Sequence, residues 1–288
     1  MGGNMTEASR RGLAAASIAT AGALLLAGTG TAQAADAEST FDRVRRTKVM
    51  RIGAVTGALP YFDKDLATGK WTGAVIEMAA DLAKAFDAKV QYVESTWGDS
   101  VLDLQTNKID VGFALNPTPA RALSINFCHD IFIHPFGCVA KHGLKPASWT
   151  WEALNNPETR ISCDLGSLHE TLARRYCPKA RITAVKGQPE ALLALQSGRV
   201  DVTILAAVLG LAAIGKNPSL GTYHILQQPF VALPTDIGVQ REPDTRFREV
   251  VNAWLDYNRG VTNIRQWMIS GLAKEGVKPS QIPPELTF

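Results

Sequence analysis

The sequence predicts an α/β protein made of two α/β units, the second of which interrupts the chain. Three observations carry this. Strand patterns alternate with helical periodicity from residue 49 to 115, and the same rhythm restarts from 160 to 205. Strand, helix, strand at this spacing encodes a mostly parallel sheet. The stretch 244–274, after the second unit, reads as two helices.

In the first unit, 49–54 is a strand, followed by a Gly- and Pro-bearing loop to Trp71. Residues 75–86 have apolar side chains at helical spacing, with Glu77 and Asp81 early and Lys84 late, as the helix dipole prefers. Residues 89–93 alternate as a strand, 100–107 form a helix, and 109–115 a more fully apolar strand. Between the units, Lys145-Pro146-Ala147-Ser148 leads through Trp149 and Trp151 into a short helix. The second unit reads as a strand (160–165), a helix (167–176) and a strand (182–185). A helix with Pro189 in its first turn (189–197) and a strand (200–205) complete it. In 244–274, Phe247, Val250, Val251, Trp254 and Leu255 share one helical face and read as core. The apolar run 202–214 is short and interrupted by Gly210, so it reads as a buried helix and not a membrane span.

Ser9-Arg10-Arg11 opens a run free of charge until Asp36, and Ala32-Gln33-Ala34 has the small-x-small pattern of a cleavage site. A basic start, a short apolar middle and small residues at the end make residues 1–34 a secretory signal peptide. The paired arginines also fit a twin-arginine signal. Export to the periplasm, with cleavage near Ala34, is the expectation. The formal charge of the whole chain is +3, and 46% of its residues are apolar. That charge is small and dispersed, and no Lys/Arg cluster tracks phosphates, so no nucleic-acid partner is expected. The four cysteines, Cys128, Cys138, Cys163 and Cys177, lack the C-x-x-C pairs of a zinc site. No metal or cofactor is expected. Cys163 with Cys177, and Cys128 with Cys138, are possible disulfide pairs in an oxidising compartment. Free buried thiols are the equal alternative.

Several motifs follow one another in a fixed order. Met50-Arg51-Ile52-Gly53 precedes Pro60-Tyr61-Phe62, then Gly73, then Trp97, then 104–110 (Leu-Gln-Thr-Asn-Lys-Ile-Asp). Thr118-x-x-Arg121 and Ile125-Asn126-Phe127 come next. The second unit has Leu165-Gly166-Ser167 and the stretch 194–201, and Asp236-Ile237-Gly238-Val239 follows. In this register the chain resembles the bacterial extracellular solute-binding proteins of family 3, the binding subunits of ABC importers for polar amino acids, over 49–274. The resemblance implies a two-lobed, type II periplasmic binding protein-like fold. Lobe 1 would be 47–134 plus 235–288 and lobe 2 the inserted 138–230, with a two-segment hinge near 134–138 and 230–235. The function implied is capture of a small polar carboxylate by hinge closure and its delivery to a membrane permease, by a monomer. No enzyme is expected. The alternative is an exported enzyme on the same scaffold, such as a cyclohexadienyl dehydratase, for which His129, Asp130, His134 and His169 are the possible acid–base groups.

The site residues follow from chemistry and motif position together. The Arg121 guanidinium offers a rigid fork for a carboxylate. Thr118 either caps the following helix or touches the ligand. Gly166 and Ser167 sit where the N–H groups of a helix start suit an anion, Ser167 doubling as N-cap, and Leu168 would offer a backbone N–H. Tyr61 and Trp97 match positions where the family places aromatics against the ligand, or are core. Asn116 stands in a shortened loop, replacing a hydroxyl donor. The family's acid that holds an α-ammonium falls at position 206, which here is Ala206. Asp236 is the residue expected to compensate; without it, the ligand lacks the α-amino group. Asp110 and Asp201 read as structural.

Overall fold

The computed structural model of the chain describes residues 38–288, and the predicted signal peptide lies outside the described residues. Helix α1 (Thr40–Thr47) leads into β1 (Val49–Val55), and a small hairpin of β2 (Asp63–Lys64) and β3 (Trp71–Thr72) precedes α2 (Ala74–Lys84). Then come β4 (Lys89–Ser95), α3 (Ser100–Gln105), β5 (Val111–Leu115), α4 (Pro119–Ala122) and the long β6 (Asn126–Ala140). The second unit holds α5 (Trp151–Leu154), β7 (Arg160–Asp164), α6 (Leu168–Tyr176), β8 (Arg181–Val185) and α7 (Gln188–Gln196). It continues through β9 (Val202–Ala206), α8 (Ala207–Lys216) and β10 (Thr222–Ile225). Strand β11 (Ala232–Val239) returns to the first unit, followed by α9 (Arg246–Gly260) and α10 (Asn263–Lys274).

The strands run in the order β4-β1-β5-β11-β6-β9-β7-β8, with β10 also on β6. Strands β4, β1 and β5 are parallel, as are β8, β7 and β9. Strand β6 belongs to both halves. Its residues 126–135 pair antiparallel with β11, and its residues 136–140 pair with β9 and β10. The result is the two-lobed α/β arrangement of type II periplasmic binding proteins.

Two elements differ from the periodicity. The strand expected at 200–205 forms as β9, paired to β6 and β7, so the buried helix expected over 202–214 is confined to α8, which begins at Ala207. Val202, Thr203 and Ile204 are β-branched and suit a fully buried strand, whereas the Ala- and Leu-rich remainder suits a helix. Strand β6 has no clean alternation, because its second half is buried on both faces and Pro135 stands where its pairing changes partner. In α9, Phe247, Val251, Trp254 and Leu255 are buried as expected, with Val250 half-buried. All four cysteines are buried free thiols, so neither anticipated disulfide is made. Among the described residues, no helix is long and apolar enough to cross a membrane.

The same ionic clamp closes the start of each parallel sheet. Asp110, just before β5, accepts from the Arg51 N–H at 2.7 Å and from its guanidinium at 2.6 Å, with Arg43 also paired to it. Asp201, just before β9, accepts from the Arg160 N–H at 3.0 Å and its guanidinium at 2.8 Å, and from Lys141 at the end of β6. Both aspartates are buried and structural, as the sequence suggested. Hydrogen bonds from Arg160, then Lys141, hold the Asp201 carboxyl well below the usual carboxylate range. A carboxyl depressed in the folded state stabilises it above the unfolded pKa, near 4, and loses that contribution as pH falls toward the folded value. Asp201→Asn is therefore expected to lower stability by about 1–3 kcal/mol at pH 7, the range for hydrogen bonds to a charged group. In urea melts, the gap to wild type should narrow as pH drops below about 4.

Candidate functional site

The cleft between the halves is built at the carboxyl ends of the strands, where open α/β sheets place their ligands. Strand β5 ends at Leu115, and Thr118 then caps the one-turn helix α4, its Oγ1 accepting from the Arg121 N–H at 3.2 Å. This cap and Pro119 at the first helical position fix the backbone from which Arg121 reaches into the cleft. Arg121 Nη1 donates to the Asn116 carbonyl at 3.1 Å, and Nη2 to the carbonyls of Trp97 and Gly166, both at 3.4 Å. Trp97 belongs to the first unit and Gly166 to the second, so one guanidinium bridges the cleft. Burial lowers its pKa from the ordinary arginine value. Among the described residues, no carboxylate lies within salt-bridge distance of it.

Six of the residues expected from sequence surround one cavity of about 20 Å³: Tyr61, Trp97, Asn116, Arg121, Ser167 and Leu168. Ala114, His134, His169, Ala206 and Leu209 complete it, and no Asp or Glu is among them. Tyr61 and Trp97 meet edge to face at 6.3 Å, both buried. Thr118 and Gly166 stand behind the lining, acting through Arg121. The Gly166 N–H is engaged by the Glu170 carboxylate at 2.7 Å, so Gly166 offers its carbonyl to Arg121 and no N–H to an anion. Ser167 caps α6, accepting from the Glu170 N–H at 3.3 Å and donating to the Asp164 carbonyl at 2.6 Å. The halves also touch backbone to backbone here. A Cβ on Gly98 would sit 2.9 Å from the Leu165 oxygen, and one on Gly166, where φ is +70°, 2.9 Å from Gly98 Cα.

Two buried histidines line the cavity with fixed tautomers. The Asn116 side-chain amide donates to the Pro234 carbonyl at 2.8 Å, which sets its orientation, and its nitrogen also faces His134 Nε2 at 3.2 Å. Nε2 is therefore an acceptor and the His134 proton is on Nδ1. Burial, and then the neighbouring His169, push the His134 pKa down to about 3, so the ring is neutral. His169 Nε2 accepts from the Ala206 N–H at 3.2 Å, and its Nδ1 lies 3.6 Å from Asp164. The sequence named both histidines only as isolated candidates, because their partners Asn116, Ala206 and Asp164 come from other elements.

Asp236 is buried in β11 and is not among the residues that line this cavity, and its pKa is raised to about 7 by burial first and by Asp130 second, with Arg259 and His129 opposing.

The family model for the bacterial extracellular solute-binding proteins, family 3, matches residues 50–258. The chain belongs to this family. It is 25% identical over 236 residues to a cyclohexadienyl dehydratase of Pseudomonas aeruginosa, covering 80% of this chain and 85% of that one. To the histidine-binding periplasmic protein of Salmonella typhimurium it is 26% identical over 213 residues, 70% of this chain and 79% of that one. Among solved structures, an ancestral amino acid-binding protein, a precursor of cyclohexadienyl dehydratase, superposes with a TM-score of 0.72 at 25% identity, covering 83% and 100% of the two chains. A solute receptor for L-cysteine from Neisseria gonorrhoeae shares the fold, with a TM-score of 0.74 at 21% identity over 86% and 98%.

A carboxyl raised to about 7 in the folded state favours folding when protonated, and that contribution is lost as pH rises from the unfolded value near 4 through 7. Asp236→Asn is therefore expected to raise Tm at pH 8. The gain should shrink steadily between pH 7 and pH 4, as scanning calorimetry across that range would show.

Proposed function

We propose that this protein is the exported binding subunit of an ABC importer, which captures a small carboxylate between its lobes and presents it to a membrane permease. The observation that carries the reading is the Arg121 guanidinium, held by carbonyls from both sides of the cleft with no carboxylate partner of its own. A carboxylate between the lobes would complete its charge and its two-pronged hydrogen bonding. We place lobe 1 at 47–134 plus 235–288 and lobe 2 at 138–230, with the hinge near 134–138 and 230–235. The change of partners along β6 after Pro135 and the start of β11 at Ala232 support these boundaries. A secretory signal in 1–34, a periplasmic location and a monomeric state complete the proposal.

The ligand lacks an α-ammonium in this reading. Ala206 is a buried methyl whose N–H is engaged by His169, and Asp236 is not among the cavity-lining residues. An ammonium there would be a buried charge without a partner, at a cost of about 3–5 kcal/mol.

The dehydratase relative raises catalysis on the same scaffold as the second reading. Catalysis needs a positioned group that can move a proton at the ligand. Here the Ser167 hydroxyl is engaged in capping, both His169 nitrogens face protein groups, and the His134 ring is buried as a neutral donor. These engagements favour binding.

Two measurements test the proposal. Arg121→Ala should abolish ligand-induced thermal stabilisation, which grows with ligand concentration over Kd; an unchanged shift removes Arg121 from the site. A thermal-shift panel of amino acids and their amine-free counterparts should favour the latter. Larger shifts with histidine or glutamine would refute the absence of the ammonium, and product formed from prephenate would establish the enzyme reading.

A further inference from the structure

The polar groups around the cavity are mostly donors, and four of them have no hydrogen-bond partner in the protein. The Trp97 indole N–H, the His134 Nδ1–H, the Tyr61 hydroxyl and His169 Nδ1 are each buried without a hydrogen bond, although Asp164 stands 3.6 Å from the last. All four residues line the same cavity as Arg121. Buried polar groups are rarely left unpaired, and leaving one so is costly.

The chemistry of each group limits what it can pair with. An indole nitrogen only donates. His134 can only donate at Nδ1, because the Asn116 amide, oriented by the Pro234 carbonyl, occupies Nε2. Phe132 and Phe136 stand edge-on to the imidazole, with ring centres 5.6 and 5.1 Å away, and fix its plane. No lining carboxylate could accept from a ligand, and Ser167 is engaged by α6. An ammonium offers three donors and no acceptor, so it finds no charged partner among the lining side chains.

We propose that the cavity reads a second acceptor group on the ligand, next to the carboxylate on Arg121, through the N–H groups of His134 and Trp97. The ligand class is then a compact 2-oxo or 2-hydroxy carboxylate. The inference rests on the binding role proposed above and assigns His134 and the Trp97 indole as specificity-determining residues. The His134 ring is well suited to this. Its proton is fixed on one nitrogen, and it stays neutral, so it discriminates by hydrogen bonding without adding charge.

The test is calorimetric titration of the full secreted protein with four three-carbon probes: pyruvate, lactate, propionate and alanine. Pyruvate or lactate should bind about tenfold tighter than propionate, the effect of one good hydrogen bond, and alanine should bind no tighter than propionate. Trp97→Phe keeps an aromatic ring and removes the pyrrole ring with its N–H. It should cut pyruvate or lactate affinity about tenfold more than it cuts propionate affinity. His134→Phe should do the same, with circular dichroism and Tm reporting that it folds. Equal binding of pyruvate, lactate and propionate overturns the second acceptor and leaves the carboxylate reading standing. Tightest binding by alanine overturns this inference and the exclusion of the ammonium together. No binding by any of the four to millimolar concentration overturns the carboxylate reading, and this inference with it.

Discussion

The cleft is organised around a guanidinium that the protein solvates but does not neutralise. Arg121 is half-buried, and its guanidinium donates to the carbonyl oxygens of Asn116, Trp97 and Gly166. Carbonyl dipoles keep the cation in place, whereas a carboxylate partner would cancel it and leave an incoming acid little to gain. In a low-dielectric cleft that difference is large, since the attraction between unit charges grows as the effective dielectric falls. Because the carbonyls come from both halves of the molecule, the charge also ties recognition to the relative placement of the halves. Gly98 and Gly166 serve the same end, allowing the two backbones to approach more closely than any side chain would permit.

Such a site needs lobes that are stiff in themselves and joined where movement is cheap. Each lobe is clamped by an aspartate that binds both the backbone and the guanidinium of an arginine on the neighbouring strand, Asp110 with Arg51 and Asp201 with Arg160. The repetition follows from the topology. In both lobes the aspartate precedes the third strand of a βαβαβ unit, next to the start of the first. Strand β6, by contrast, changes partners after Pro135, a residue that cannot donate to the ladder. Closure about such a point is the hinge motion typical of binding proteins.

Much of this was legible in the sequence, because it depends on local order. The periodicity of 49–115 and 160–205 placed the parallel strands and their helices, and the Thr-x-x-Arg spacing placed Arg121 at the start of a capped turn. The place of Asp236 relative to the cavity lining was not legible, for a physical reason. Strand alternation predicts which face a side chain takes only while the register is unbroken, and β11 shifts register on both sides of Asp236. A bulge re-aims a side chain without leaving a mark in the sequence. The roles of His134 and His169 were illegible for another reason. Each is defined by partners on distant elements, Asn116 and Pro234 for one, Ala206 and Asp164 for the other.

The enclosure that fixes these histidines also restricts their use in proton transfer. A general acid or base works best with a pKa near the operating pH and a nitrogen free to face the substrate. His134 has its pKa pushed down to about 3 by burial and one nitrogen occupied by Asn116, so it holds its proton across the range in which a cell operates. His169 has both nitrogens turned to protein groups. A lining carboxylate would change this at once, because it would bring a group able to exchange a proton and a partner able to hold an ammonium. Position 206 is where the family pattern puts such an acid, and here it carries a methyl group. On the reading proposed above, recognition of an amine-free acid and the lack of a lining carboxylate thus trace to the same residue.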